Sequence, residues 1–252
     1  MDTDHLTDVW SRVFGIQPDP PAWLVIVTAV LALAAVAPHP AWRLSRNAVT
    51  IAHEGGHGLL ALVTGRRLEG IRLHSDTSGL TVSRGKPTGI GMILTAAAGY
   101  ITPSLLGLAG AALLAAGHIT ALLWGATVLL LAMLVMIRNA YGVLTVVLAG
   151  AAFVLVSWLT TPDVQAAFAY VVVWFLLLGG VRPPFELQRK RRRMARPAFV
   201  SPSGMMAERR EGDSDPDQLA RLTHVPAVVW LGLFHVVTLC SLIGGGRWLL
   251  GI

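Results

Sequence analysis

Charged residues are scarce in this chain of 252 residues. Only 13% are Asp, Glu, Lys or Arg, whereas soluble globular domains usually carry about a quarter. Hydrophobic residues make up 54%, and apolar runs long enough to cross about 30 Å of hydrocarbon recur along the chain between short polar or Pro/Gly breaks. The composition therefore excludes an ordinary soluble domain and predicts an all-α polytopic membrane protein.

Cysteine is almost absent as well. The single Cys240 lies in the last apolar run, where we expect a packing role, and one cysteine excludes an internal disulfide and any multi-cysteine metal site. The first twenty residues contain four acidic residues and no basic segment leading into a short apolar core. We therefore expect no cleavable signal peptide, and insertion through the first span itself.

Seven apolar runs are candidate transmembrane helices, and together they predict one membrane-embedded domain over residues 1–252. They cover about residues 22–37, 47–64, 88–116, 119–137, 140–160, 164–181 and 225–250. The third run contains Gly99 and Pro103, which predicts a kinked or partly re-entrant helix. Residues 182–224 break the apolar pattern with many Arg, Pro, Ser and acidic residues, and are predicted to form a basic, partly flexible cytoplasmic loop.

The basic residues set the predicted orientation. A formal net charge of +6 can indicate nucleic acid, but the basic run at 188–193 directly follows an apolar span and lacks interleaved aromatic residues. Anionic lipid headgroups explain such a run better, so no nucleic-acid partner is expected. With this run in the cytoplasm, three of the 20 Lys and Arg residues (Arg43, Arg46 and Arg247) are outside and seventeen inside. The prediction is a multi-pass cell-membrane protein with a cytoplasmic N-terminus and an external C-terminus.

Two polar segments have a structure of their own. Residues 68–83 alternate apolar and polar side chains around a Ser/Gly turn, which predicts a β-hairpin packed near the end of the second span. Its edge is either a binding site for an extended peptide or simply a tethered surface hairpin. Further along, Asp215 is a candidate helix cap, with Pro216 at the first helical position and Gln218 completing a capping box.

The motif that carries chemistry is His53-Glu54-Gly55-Gly56-His57, inside the second apolar run. Residues four apart lie on one face of a helix, so His53 and His57 can bind one zinc ion with Glu54 beside it. Zinc lowers the pKa of a bound water towards 7, and a glutamate can accept its proton. The motif predicts zinc-dependent peptide hydrolysis. The alternative is a helix-packing face with buried, hydrogen-bonded polar groups.

Further pieces accompany the motif: Ala52 and Gly58-Leu59 around it, Thr64-Gly65 after it, Gly79 in the hairpin, Ala98-Gly99-Tyr100, Arg138-Asn139 with Gly142, and Ser214-Asp215 leading to Leu219-Ala220. With these pieces the chain resembles the M50 peptidases, the site-2 protease superfamily, and specifically its M50B-like branch, over nearly its whole length. The resemblance implies an intramembrane zinc metalloprotease that cleaves membrane-associated proteins. It also implies that His53 and His57 are zinc ligands and that Glu54 is the general base.

The third zinc ligand departs from the usual pattern of that superfamily. Typical site-2 proteases supply an aspartate from a stretch ending in Leu-Asp-Gly, but the comparable residues 139–150 contain no acidic residue. In the M50B-like branch a Ser-Asp element recurs, which implies Asp215 as the third ligand, in competition with its capping role. Other donors remain open at this point: His224, His235, Asp163 and His74, with His118 expected to be solvated at an external turn.

The resemblance also implies a role for Asn139. In site-2 proteases the comparable asparagine assists substrate or oxyanion binding, which suits an amide donor, whereas helix capping is the ordinary alternative.

Two other functions compete with proteolysis. The missing Leu-Asp-Gly ligand favours a catalytically inactive pseudoprotease that binds or escorts membrane clients, and intramembrane His and Glu can serve a small transporter. No inverted repeat is visible to support transport.

Overall fold

The computed structural model describes residues 13, 15–194 and 214–252. Within them the chain forms eight α-helices and one two-stranded antiparallel sheet. In chain order these are α1 (Ala22–Val36), α2 (His39–Val63), β1 (Arg67–Leu73), β2 (Gly79–Arg84), α3 (Ile90–Ala115), α4 (Ile119–Met136), α5 (Ala140–Leu159), α6 (Pro162–Met194), α7 (Asp215–Thr223) and α8 (Ala227–Leu250).

Five of the described helices are long and apolar enough to cross a membrane, namely α3, α4, α5, α6 and α8. The helices α1 and α2 pass that test only together, and they meet at 101°. Pro38 adopts an extended conformation with ψ 136° between them, because proline cannot continue the hydrogen bonding of α1. The predicted helical membrane fold with a hairpin is confirmed, but the number of spans is five or six rather than about seven.

The bent α1–α2 pair changes the predicted path of the chain. Helix α1 runs parallel to α6: Val25 packs in one cluster with Ala166, while the Val36 carbonyl at the other end accepts from Arg182. Before α1, the Gln17 N–H donates to the Gly117 carbonyl at 2.9 Å. Residues 15–21 therefore lie beside the α3–α4 turn, at the end of the bundle where α8 also finishes. The predicted sides of the two chain ends stay a prediction, because residues 1–12 and 14 lie outside the described part of the chain.

The opposite end of the bundle is basic. Arg46, predicted to be external, lies 3.6 Å from Glu186 on the second half of α6, and Arg43 lines the same cavity as Arg189. The other described Lys and Arg residues lie in the hairpin region, the α4–α5 turn, α6 and α7, except Arg247 near the end of α8. The elbow between α1 and α2 lies at the basic end, so Arg43 and Arg46 join the other basic residues there. The difference in charge between the two ends of the bundle is therefore larger than the sequence predicted.

The predicted hairpin is confirmed and lies along α2. Its strands pair from Arg67↔Arg84 to Leu73↔Gly79 with an irregularity after Leu68. On its other edge β1 meets the α4–α5 turn, where the Arg138 N–H donates to the Ile71 carbonyl at 2.9 Å. Ile71 is buried in a cluster between α2, α4 and α5. The apolar face of β1 therefore holds the hairpin against the membrane helices.

Three smaller predictions have mixed outcomes. Helix α3 is continuous through Gly99 and Pro103, so the re-entrant break is wrong. Cys240 is exposed on α8 rather than packed inside. In the segment predicted as a flexible loop, residues 182–194 continue α6 and residues 215–223 form α7, while residues 195–213 lie outside the described part of the chain.

Candidate metal centre and active site

Helix α2 presents His53, Glu54 and His57 in its second half. Glu54 and His57 are buried, with 5% and 9% exposure, and the two imidazoles bring their Nε2 atoms to 3.1 Å. The Nδ1 atom of His57 lies 2.7 Å from the Thr95 carbonyl of α3. A carbonyl only accepts hydrogen bonds, so Nδ1 carries a hydrogen, and Nε2 is the nitrogen that can bind a metal once it is deprotonated.

Asp215, the first residue of α7, meets these two histidines. Its Oδ2 atom lies 3.3 Å from the Nε2 atom of His53 and 3.3 Å from that of His57. Ligand atoms about 2.0–2.2 Å from one tetrahedral zinc ion lie roughly 3.3–3.6 Å from each other. The three observed separations are close to this spacing, so His53, His57 and Asp215 form a group that can hold a metal ion.

The sequence of α7 explains how Asp215 arrives there. Leu219, four residues later on the same helical face, is fully buried against Ala96 of α3 and Phe234 of α8. The N-cap is Ser214, with its Oγ bonded to Asp217, so the prediction of Asp215 as the cap residue is wrong. The Asp215 side chain is thereby free to face α2.

Two observations indicate that this group fits a cation. The Asp215 Oδ2 atom is buried, and among the described residues it has no hydrogen-bond partner, which is costly for a carboxylate oxygen unless a charge compensates it. On the facing side of α3, a Cβ atom at Gly99 would lie 2.6 Å from both Cε1 and Nε2 of His53. Glycine is therefore required where α3 passes the imidazoles, and two nitrogens with one carboxylate are a donor set that zinc accepts.

The charge state of Asp215 also suits a ligand. Burial raises the pKa of this carboxyl, but the positive charges of the neighbouring His57 and His53 imidazoles lower it by a larger amount. The net pKa of Asp215 is therefore well below its ordinary value. The side chain is an ionised carboxylate, which is the form that binds a metal.

The carboxylate of Glu54 contacts the hairpin. Its carboxylate accepts a hydrogen bond from Thr81 Oγ1 at 2.6 Å. Opposite, a Cβ atom at Gly79 would lie 2.5 Å from Glu54 Oε1, so β2 approaches the carboxylate as closely as a glycine allows. Strand β2 thus fixes the glutamate beside the metal group.

A cavity of about 550 Å³ opens onto these groups. Its walls are α2, the start of α3, strand β2 and α7, and they include His53, Glu54, His57, Asp215, Thr81 and Tyr100. Tyr100 stacks on Phe234 and meets the His53 ring edge-on at 5.0 Å. Polar groups and water-sized space are therefore present together at a site inside the helical bundle.

Asn139 lies apart from this cavity. Its Oδ1 accepts from the Leu73 N–H at 3.1 Å, and its Nδ2 donates to the Leu73 carbonyl at 2.7 Å. It is the N-cap residue of α5, but its side chain makes no capping bond. Both polar atoms therefore anchor the end of β1, and an oxyanion-binding role stays a prediction that requires their release.

The remaining candidate donors do not join the metal group. Among the described residues, the group of metal-ligating side chains contains only His53, His57 and Asp215. His235 packs its ring edge-on against Phe185 at 4.4 Å, with Nδ1 directed to the Leu231 carbonyl. The others are elsewhere: His74 in the hairpin turn, His118 before α4, Asp163 at the start of α6 and His224 at the left-handed end of α7.

Sequence reasoning missed the residues that orient the side chains of the candidate site. Thr95 orients His57, and Thr81 holds Glu54. The alternation of β2 gave one usable signal, because Thr81 falls on the same face as Gly79. Nothing local indicated that the Thr95 carbonyl would be an acceptor.

The comparisons with known proteins agree with this geometry. A family model described as "Peptidase M50B-like" matches residues 26–245. No curated protein and no solved structure gave a match. The matched stretch includes α2, the hairpin, α7 and nearly all of α8, so it contains every member of the candidate metal group. The chain belongs to the Peptidase M50B-like family.

Proposed function

We propose that this protein is an intramembrane zinc metalloendopeptidase that hydrolyses peptide bonds of membrane-associated proteins. One observation carries the proposal. Asp215 of α7 reaches the two histidines of α2 at 3.3 Å, beside Glu54 and a cavity of about 550 Å³. In the proposed site His53, His57 and Asp215 are the zinc ligands and Glu54 is the general base.

The chain's own groups divide the work. Zinc held there would polarise a substrate carbonyl and lower the pKa of a water molecule. Glu54 accepts a proton from the attacking water and later passes it to the leaving amine. Thr81 keeps the Glu54 carboxylate in place, and Thr95 keeps the His57 ring in the tautomer that leaves Nε2 free.

Strand β2 supports a protein substrate rather than a small molecule. Its residues Gly79, Leu80, Thr81 and Ser83 line the cavity, while β1 takes up the other edge of β2. An extended peptide can pair with the cavity-facing edge and so place a carbonyl near Glu54. Extended substrates of this kind include transmembrane helices that have been locally unwound.

The proposed location is a cell membrane, with the basic end of the bundle in the cytoplasm. The described Lys and Arg residues other than Arg247 border that end, as the positive-inside rule requires. Residues 15–21 and the end of α8 are then external. Arg46 and Arg221 line the active-site cavity, so in this orientation the cavity belongs to the cytoplasmic half.

The alternative of an inactive pseudoprotease has less support than the enzyme. It rested on the missing aspartate of the Leu-Asp-Gly stretch, whereas Asp215 supplies an acidic group beside the histidines from another helix. Glu54 is also retained and oriented. The donor set and base together favour an enzyme over a binding protein.

The decisive test compares wild type with Glu54→Gln in liposomes that also contain a pool of labelled peptides with one transmembrane segment each. We expect about one zinc per chain in both proteins, but peptide cleavage about 10²–10⁴-fold slower in the variant, since only the base is removed. Glu69→Gln, in an exposed pair with Arg84, is the matched control and should cleave normally. Equal cleavage by Glu54→Gln, or a zinc-free wild type, would contradict the proposal.

A further inference from the structure

A second cavity, of about 1230 Å³, lies beside the elbow between α1 and α2. The start of α2, the tip of the hairpin and the second half of α6 form its walls. Six Lys and Arg residues line it: Arg43, Arg46, Arg182, Arg189, Lys190 and Arg193, together with His39. Only Asp76 and Glu186 contribute carboxylates, so the cavity is strongly positive.

The carboxylates of this cavity are already engaged. Glu186 lies 2.9 Å from Arg182 and 3.6 Å from Arg46, and Asp76 accepts two hydrogen bonds from Ser78. For the remaining four cations, Arg43, Arg189, Lys190 and Arg193, no carboxylate of the described chain lies within ion-pairing distance. All four are solvent-exposed and line one open cavity, where a bound anion would offset their mutual repulsion.

The cavity lies where the chain leaves the apolar layer. Helix α6 is apolar up to Val181 and basic from Arg182 onward. Arg182 covers the ring of the buried Trp42 at 4.9 Å, and Leu44, beside Arg43, is 84% exposed. A basic group beside an exposed apolar side chain is the usual composition of a membrane interface.

We propose that this cavity is a binding site for the phosphate headgroup of an anionic phospholipid. Lys and Arg donors suit a phosphate oxygen, and the exposed Leu44 offers an apolar contact for an acyl chain. A free phosphate ion would bind the same cations, but it has no apolar part that could contact the exposed Leu44. The site does not depend on zinc or on proteolysis.

Occupation of this site would act on the neighbouring active-site cavity. Arg46 and Thr77 line both cavities. The Thr77 carbonyl accepts from Thr50 Oγ1 at 2.9 Å, and Thr50 lies one helical turn before His53 and Glu54. A bound headgroup would thus fix the hairpin tip against the part of α2 that carries the metal ligands.

The test titrates the purified full-length chain in neutral detergent with phosphatidylglycerol or phosphatidylcholine, and counts bound lipids by native mass spectrometry. We expect phosphatidylglycerol to bind at least about tenfold more tightly than phosphatidylcholine. The triple variant Arg189→Gln, Lys190→Gln, Arg193→Gln should lose at least tenfold in affinity for phosphatidylglycerol, because it removes three of the four cations without a carboxylate partner.

The matched control removes three exposed cations outside the cavity: Arg67→Gln, Lys86→Gln, Arg192→Gln. It should bind phosphatidylglycerol within about twofold of wild type, and the charge-conserving pair Arg189→Lys, Arg193→Lys within about threefold. Equal losses in both triple variants would show general surface attraction and overturn the site. Full competition by millimolar inorganic phosphate would make the free ion the ligand and overturn the lipid assignment.

Discussion

The two halves of the candidate metal centre are held in very different ways. Helix α2 has 25 residues and contributes three groups, two of them one helical turn apart on one face. Helix α7 has nine residues and contributes only Asp215. An isolated helix of fewer than about 12 residues is marginal in water, so α7 owes its position to packing rather than to its own stability.

The α2 half of the site depends only on the helix that carries it, whereas the α7 half depends on how that helix packs against its neighbours. His53 and His57 keep their relation to each other as long as α2 is helical, with Thr95 orienting one ring. Asp215 reaches them while Leu219 is buried between α3 and α8, and the ion pair of Arg191 with Asp217 adds a smaller contribution. Changes in α7 should therefore affect zinc and activity while leaving the α2 half intact.

Removal of Asp215 is the largest expected effect. With Asp215→Ala the two histidines alone would hold the ion, and we expect zinc affinity to fall at least about 100-fold, since one of three protein ligands is lost. Competition with a chromogenic chelator measures it. Asp163→Ala, a carboxylate outside the metal group, is the control. Unchanged zinc affinity in Asp215→Ala would show that the third ligand comes from elsewhere.

Addition of a methyl group at Gly99 is expected to have the second-largest effect on zinc affinity. In Gly99→Ala the new Cβ meets the ring of His53 and Nε2 of His57, so the imidazoles must rotate and zinc affinity should fall about 10–100-fold, as for other misplaced ligands. The control is Gly125→Ala, because no heavy atom lies within 4 Å of a Cβ at that position. If both variants bind zinc equally, α3 does not restrain the α2 half.

The sequence predicted the local parts of this architecture well. His53, Glu54 and His57 follow from helical spacing, and the hairpin follows from alternation, because both depend on neighbours in the chain. Asp215 came from the family resemblance, and no spacing rule connects it to α2. Its approach depends on the burial of Leu219, which a single apolar residue in a polar segment does not reveal.

The predicted number of spans was too high for a similar reason. Residues 22–37 and 47–64 were each taken as a full span, and the alternation of sides followed from that count. Pro38 and the 101° bend return the chain to the same end, which depends on packing of α1 along α6. Asn139 likewise bonds to Leu73, a partner that local sequence does not identify.

Loss of the Leu219 anchor should have an intermediate effect. In Leu219→Ala the buried side chain between Ala96 and Phe234 is truncated, which costs about 2–5 kcal/mol in a packed core. Part of that loss should appear as roughly 10–30-fold weaker zinc binding, because α7 docks less often. Leu250→Ala, half exposed on α8, should bind zinc as wild type does. Strong zinc binding by Leu219→Ala would mean that α7 is fixed by other contacts.

The smallest expected effect concerns the ion pair that ties α7 to α6. Burial raises the pKa of Asp217, but hydrogen bonds from Ser214 and Arg191 and the charge of Arg191 lower it by a larger amount. The pKa of Asp217 therefore lies below its ordinary value. The pair is partly exposed, at 37% for Arg191 and 21% for Asp217. Solvent screening therefore limits its contribution to about 0.2–1 kcal/mol.

The pH dependence of this pair follows from the direction of the shift. A carboxyl with a lowered folded-state pKa stabilises the folded state above its ordinary pKa, and that contribution disappears as the pH falls through the lowered value. In metal-free protein, Asp217→Asn should melt about 1–3 °C below wild type at pH 7, and the difference should shrink below about pH 4. A double-mutant cycle with Arg191→Gln isolates the pair. A difference that is constant from pH 7 to pH 3 would show that Asp217 acts through helix packing rather than through its charge.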